Sequence, residues 1–206
     1  EHLLVDGKKM SKSLGNVYTI KDIEAKGFAP LDFRYFVLGA HYRTRLNFTW
    51  QALEAAHRAR TGIINSLERL RRGHLDGDSK IEKTAVQFIA RAEKLFQEAL
   101  DDDLNTSKAL AVLNELIHYG NSRLDKGRLS GKMAKIITAA VLEFDRVLGL
   151  NLKSAKAASI PKEIMALVAK RESLRKEKKW QEADALREKI KKLGVIIEDT
   201  PSGPQV

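Results

Sequence analysis

The chain has 206 residues (23.1 kDa), with 37 Lys and Arg against 27 Asp and Glu, a formal charge of +10 and a pI near 9.7. Apolar residues make up 43 %, enough to build the core of one or two domains, which excludes wholesale disorder. The absence of cysteine excludes a disulfide scaffold and any Cys-ligated zinc within the chain, and no apolar run approaches the roughly 20 residues of a membrane span. No signal-peptide pattern opens the sequence, so the expected location is cytoplasmic, with no membrane partner. The first residue is Glu1 rather than Met, and a strand-like segment follows at once. This reads as the C-terminal piece of a longer polypeptide. The positive excess fits either a polyanionic partner or lysine-rich solvated helix faces.

Leu3-Leu4-Val5 is a short apolar strand running into an Asp6-Gly7 turn. A polar loop rich in Lys, Ser and Gly follows over 8–16. A short helix is expected from Thr19 or Lys21 to Lys26, stopped by Gly27. Over 31–41, Phe33, Phe36, Val37 and Ala40 recur at helical spacing behind Pro30, a residue suited to a first helical turn. Thr49 is the expected N-cap of a long helix through Leu53, Ala56, Ile63, Ile64, Leu67 and Leu70. A second helix is expected over 81–100, with Ala85, Phe88, Ile89, Ala92, Leu95 and Phe96 on one face. Asp101-Asp102-Asp103 breaks it, and Thr106 is the expected cap of a third, carrying Leu110, Leu113, Leu116 and Ile117. A fourth spans 130–148. Four amphipathic helices on short connections predict an antiparallel bundle.

Composition shifts at Asn151, and 151–161 reads as a linker ending in Pro161. Helices over 162–178 and 180–193 follow, then Gly194 as a stop. Val195-Ile196-Ile197-Glu198 has strand character, and 199–203 is turn chemistry. The expected class is mainly α: a short strand and polar loop with helices (1–48), a helical bundle (49–150), a linker (151–161) and a small α/β domain (162–206).

The chemistry concentrates in Lys9-Met10-Ser11-Lys12-Ser13. Two lysines three residues apart, interleaved with hydroxyls, suit a triphosphate. Their ammonium groups would neutralise charge moving onto pyrophosphate as the α-phosphate is attacked, while hydroxyls and backbone N–H groups donate to phosphate oxygens. These five residues match, letter for letter, the KMSKS signature of class I aminoacyl-tRNA synthetases, between a strand and a short helix where that signature belongs. The likeness extends further. The run from Val5 to Asn16, then Leu38-Gly39-Ala40-His41-Tyr42-Arg43 and Leu46-Asn47-Phe48, resembles the cysteinyl-tRNA synthetase family. Leu104-Asn105-Thr106 with Ala109 is similar to that family's helical DALR-type domain. Trp180-Gln181-Glu182-Ala183-Asp184-Ala185-Leu186-Arg187, Leu193-Gly194 and 197–203 resemble its small C-terminal domain.

The resemblance implies activation of cysteine by ATP, with magnesium, to a cysteinyl-adenylate, then transfer to the 3′ end of tRNA(Cys) by a monomeric ligase. Lys9 and Lys12 would stabilise the pyrophosphate-releasing transition state. Met10 would meet the adenine side through its backbone, and Ser11 and Ser13 would contact phosphates; Lys8 is left as a solvated lysine. The family's nucleotide fold, its HIGH signature and its zinc site lie upstream of KMSKS, so zinc is expected only outside this chain and the chain alone is expected to be inactive. The five histidines lack ligand spacing and read as helix-face or surface residues.

RNA contact is expected along Arg58, Arg60, Arg69, Arg71 and Arg72, and around Lys170, Arg171, Arg175, Lys176, Lys178 and Lys179. Phosphate contacts of this kind are salt-dependent and blind to sequence. Unpaired bases are instead stacked on aromatics and read along their edges. The family reads a GCA anticodon, and Trp180, with Asp184 four residues on, Asp199 and Arg175, form a suitable set: a stacking ring and carboxylates that accept from guanine or cytosine N–H groups. Packing for Trp180, an ion pair with Arg187 for Asp184 and a turn role for Asp199 are the structural alternatives. The acidic run at Asp101 reads first as helix capping, and Arg43 and Arg45 as backbone contacts. Two competing functions remain: a ligase joining cysteine to an amino sugar, which would have no use for the 180–203 unit, and a free-standing RNA-binding module with a relic loop.

Overall fold

The computed structural model describes residues 3–72, 83–154, 162–177, 179–192, 198–200 and 203–205. The chain divides into two compact units, Glu1–Ala157 and Ala158–Val206.

The first unit opens with a hairpin, β1 (Leu3–Val5) and β2 (Lys8–Lys9), in the register Leu4 opposite Lys9 and Val5 opposite Lys8. Asp6 and Gly7 both have positive φ, 49° and 75°, the two-residue turn whose twist suits paired strands. The polar loop expected from Lys8 therefore begins two residues later, because Lys8 and Lys9 continue the sheet. A third strand, β3 (Leu46–Phe48), runs parallel to β1 on its other side, and no sequence signal marked it as a strand. Between them lie α1 (Ile20–Ala25) and α2 (Pro30–Leu38). Thr19 and Asp22 cap α1 reciprocally: the Asp22 carboxylate accepts from the Thr19 N–H at 2.6 Å, and Thr19 Oγ1 accepts from the Asp22 N–H. The helix α2 ends three residues earlier than its apolar pattern suggests, at Gly39, a poor helix former. Val5, Ile23, Phe48 and Leu53 form the core of this part. Phe48 sits among the rings of Trp50, Tyr18, Phe36 and Phe33, at centroid distances from 5.2 to 6.1 Å.

The bundle follows: α3 (Trp50–Arg72), α4 (Lys83–Asp101), α5 (Thr106–Asp125) and α6 (Gly131–Leu148). Thr49 caps α3 as expected, accepting from the Ala52 N–H at 3.0 Å. The expected start of the second helix at Ile81 lies outside the described residues. The cap expected at Thr106 is instead Asn105, whose side chain accepts from the Lys108 N–H. The cause is local. Asp103 and Leu104 take φ of 54° and 53°, which turns the chain into the helix one residue early. Ser130 caps α6. Leu67, Leu70, Leu113, Leu116, Ile137 and Val141 fill the core, and Phe96 stacks on Phe144 with ring centroids 4.1 Å apart. Tyr35 and Leu38 of α2 pack against the same core, so residues 1–48 and the bundle belong to one packed unit.

Polar contacts close the joint. Asp32 is wholly buried and accepts from the Ala29 N–H (2.9 Å), His57 Nδ1 (2.8 Å) and Arg60 (3.2 Å). Arg34 donates to the Leu148 carbonyl at 2.6 Å and Arg60 to that of Leu150, satisfying carbonyls at and just beyond the end of α6. Asp145 accepts from the N–H groups of Leu150 and Leu152, both at 2.7 Å. The stretch read as a linker thus begins with Leu152 buried in the bundle; 155–161 lie outside the described residues.

The second unit contains a helical hairpin, α7 (Lys162–Lys176) and α8 (Trp180–Lys192), around Ile164, Val168 and Ile190. A two-stranded antiparallel sheet, β4 (Glu198–Thr200) and β5 (Gly203–Gln205), completes it. Of the expected strand at 195–198 only Glu198 is described, and Gly194 lies outside the described residues. The architecture is mainly α with a small α/β unit at the end.

Candidate functional site

Lys9 ends β2, and a 3-10 turn, Lys12–Leu14, begins three residues on with Ser11 as its cap. Ser11 Oγ accepts from the Leu14 N–H at 3.3 Å and lies 3.2 Å from Ser13 Oγ. Both lysines are exposed, and among the described residues neither is drawn into an ion pair. Met10 is half-buried, its side chain packed against the Val5–Phe48 core. The loop therefore carries two solvated ammonium groups on a backbone anchored by one apolar side chain between them. That arrangement presents positive charge to an incoming anion without first breaking a salt bridge.

Two asparagines support it, and sequence reasoning assigned neither a role. Asn47 Oδ1 accepts from the Gly7 N–H at 2.8 Å, tying the hairpin turn to β3. Asn16 Oδ1 accepts from the Ser11 N–H at 2.8 Å while its Nδ2 donates to the Lys9 carbonyl at 3.1 Å. The Gly15-Asn16 pair is turn chemistry, and that was the available signal. Gly15 has φ 63°, which lets the chain fold Asn16 back over the loop.

The arginines expected along the first long helix do not form one free surface. Arg60 points inward, 9 % exposed and paired to Asp32. Arg69 pairs with Asp125, Arg71 and Arg72 share Glu68 at 2.8 and 2.9 Å, and Arg58 lies 3.9 Å from Glu54. Arg43 is engaged with Asp103 at 3.0 Å and with the Tyr42 hydroxyl, and these partners, the hydroxyl first, raise its already high pKa. Tyr42 in turn donates to Asp103 at 2.7 Å and stacks on His41. The acidic loop at Asp101–Asp103 is thus a structural junction. Asp102 also holds Lys108 at 2.6 Å, the main cause of its lowered pKa. Among the described residues, no three His, Asp or Glu side chains converge as a metal site.

In the second unit, Trp180 is the first residue of α8 and is 56 % exposed. Asp184, one turn on, is exposed too. Arg175 lies 3.9 Å from Glu172, and Arg171, counted among the basic surface in the sequence, is buried. Asp199 is a strand residue opposite Pro204 rather than part of the turn itself.

Three family models match in chain order. A class I (C) tRNA synthetase catalytic-domain model matches residues 1–58, a DALR-domain model 95–153, and a cysteinyl-tRNA ligase anticodon-binding-domain model 157–206. Over its full length the chain is similar to cysteinyl-tRNA synthetases. Its relatives include the cysteine–tRNA ligases of Chlamydia felis (40 % identical) and Chlamydia pneumoniae (41 %), each matched over 100 % of this chain and 43 % of the relative. The cysteine–tRNA ligase of Symbiobacterium thermophilum is 39 % identical over 98 % of this chain and again 43 % of its own length. The chain spans less than half the length of these family members.

Proposed function

We propose that the chain serves a cysteine–tRNA ligase, supplying the phosphate-facing KMSKS loop and the surfaces that hold tRNA(Cys). Residues 1–48 close the catalytic domain, 49–150 form the helical tRNA-binding domain, and 162–206 the anticodon-binding domain behind a linker at 151–161. The enzyme is a cytoplasmic monomer. Among the described residues no helix is long and apolar enough to cross a membrane.

The observation that carries this reading is the pair of exposed lysines at the neck and turn of one loop, in no ion pair among the described residues. As a cysteine carboxylate oxygen attacks the α-phosphate of ATP, the bond to the bridging oxygen breaks and pyrophosphate leaves with the electron pair. Lys9 and Lys12 stabilise the charge that grows there. Ser11 and Ser13 offer hydroxyls to the phosphates, and Met10 keeps its backbone toward the adenine while its side chain stays in the core. In the second step a ribose hydroxyl at the tRNA 3′ end attacks the activated carbonyl and AMP departs. Magnesium would arrive with ATP. The zinc that the family implies finds no ligand set here, with no cysteine in the chain. Trp180, Asp184, Asp199 and Arg175 read the anticodon by stacking and hydrogen bonding.

The test uses an enzyme that includes a complete nucleotide-binding domain. Lys9→Ala and Lys12→Ala are each expected to slow ATP–pyrophosphate exchange by about 10²–10³-fold, the usual effect of removing one transition-state charge stabiliser. Their affinity for tRNA(Cys) should stay within about threefold of the parent. A variant that activates cysteine at the parent rate removes that lysine from the mechanism.

A further inference from the structure

We propose that Asn16 is a positioning residue that locks the two lysines of the loop into one unit. The proposal rests on the phosphate-facing role just given to Lys9 and Lys12. The carrying observation is the paired contact of a single side chain with two backbone groups. Asn16 Oδ1 takes the Ser11 N–H at 2.8 Å, and Asn16 Nδ2 gives to the Lys9 carbonyl at 3.1 Å. A carboxamide holds one donor and one acceptor in a fixed plane, so this side chain imitates a strand pairing against residues 9 and 11. The loop from Lys9 to Asn16 is thereby closed at its neck.

The rest of the loop is built to the same end. Gly15 donates its N–H to the Lys12 carbonyl at 3.1 Å in a left-handed conformation, which returns the chain over itself. Ser11 and Leu14 close the turn between them. Lys9 lies on one side of the Asn16 bridge and Lys12 inside the closed loop. Lys9 cannot shift far without breaking its bond to Asn16, and Lys12 is held between the Ser11 bond to Asn16 and the Gly15 N–H on its own carbonyl. Without the bridge, the span from Lys9 to Asn16 would have to be ordered each time the ammonium groups converge on the leaving phosphates, and that ordering opposes the reaction. The ATP ground state, reached by flexible lysine stems from many loop arrangements, depends on it much less.

Two assays on Asn16→Ala separate this claim from the reading it rests on. In the 206-residue chain, trypsin should cut after Lys9 and Lys12 about tenfold faster than in the parent, with cleavage elsewhere and the thermal midpoint unchanged. In an enzyme with a complete nucleotide-binding domain, kcat for ATP–pyrophosphate exchange should fall about 10–30-fold while KM for ATP moves less than about threefold, as expected for losing two neutral hydrogen bonds that preorganise the loop for the transition state. Asn16→Asp, which keeps the acceptor for Ser11 but sets a carboxylate oxygen against the Lys9 carbonyl, should restore the parent in neither assay. Unchanged trypsin cleavage in Asn16→Ala overturns the latch whatever the lysines do. Faster cleavage with parental kcat overturns the positioning role. Normal exchange in Lys9→Ala and Lys12→Ala, with faster cleavage in Asn16→Ala, removes the catalytic reading and leaves the latch as structure alone.

Discussion

Asp32 ties the N-terminal part to the bundle from the interior. It is fully buried, and its partners come from its own helix start and from His57 and Arg60 on α3. Asp32→Ala leaves the Arg60 guanidinium buried without its carboxylate and should lower the free energy of unfolding in urea by about 3–5 kcal/mol. A loss below about 1 kcal/mol would mean that the Leu150 carbonyl alone satisfies Arg60. Trp180 makes the opposite case. It is more than half exposed on α8, so Trp180→Ala should leave the helical circular dichroism unchanged while weakening tRNA(Cys) binding by about 1–3 kcal/mol through lost base stacking. Equal binding by variant and parent would return Trp180 to the surface. The lysine–serine motif, Trp180 and Asp184 were legible in the sequence because each is defined by neighbours in the chain. Asp32 and Asn16 were not. Asp32 gains its meaning from residues 25 and 28 positions away, and Asn16 from a backbone fold that the sequence only permits.

At the scale of elements, helices were read well and their ends less so. Periodicity places the cores of α3 to α6, since Leu, Ile and Phe at three- and four-residue spacing have one face to bury. The cap at Asn105 and the early stop of α2 depend on backbone angles and on Gly39, which apolar spacing does not report. The strand β3 escaped notice because three residues cannot show a period and its partner β1 lies more than forty residues earlier. The capping box of α1 carries a pH signature. Thr19, first through its backbone N–H and then through its hydroxyl, lowers the Asp22 pKa in the folded state. A lowered carboxyl adds stability that is fully present above its unfolded pKa, near 4, and is lost as pH falls through the folded value. The parent should therefore lose stability relative to Asp22→Asn as pH is brought from about 5 to below 4, read from paired thermal midpoints. A constant difference between the two across that range would show that the box adds nothing in solution.

At the scale of the whole molecule, the net charge of +10 suits the proposed nucleic acid partner, although Arg60 and Arg171 are spent on the interior. Affinity for tRNA(Cys) should fall steeply with salt, by about 10³-fold between 50 and 200 mM if about six phosphates are neutralised. The preference for the cognate anticodon over a changed one should persist across that range, because base contacts rather than phosphates carry it. Equal affinity for both RNAs at every salt concentration would remove anticodon reading from the second unit. One feature of the first unit bears on how such binding is felt elsewhere. The helix α3 leaves the Phe48–Trp50 aromatic cluster beside the hairpin and runs 23 residues, or about 33 Å. It adds Leu53 to the core beside the hairpin and Leu67 and Leu70 to the bundle core, so a tilt of about 5° at one end would carry the other through about 3 Å. On the function proposed above, a load at that tip would be felt at the lysine-bearing hairpin as a small rotation, and a small rotation at the hairpin would be magnified at the tip.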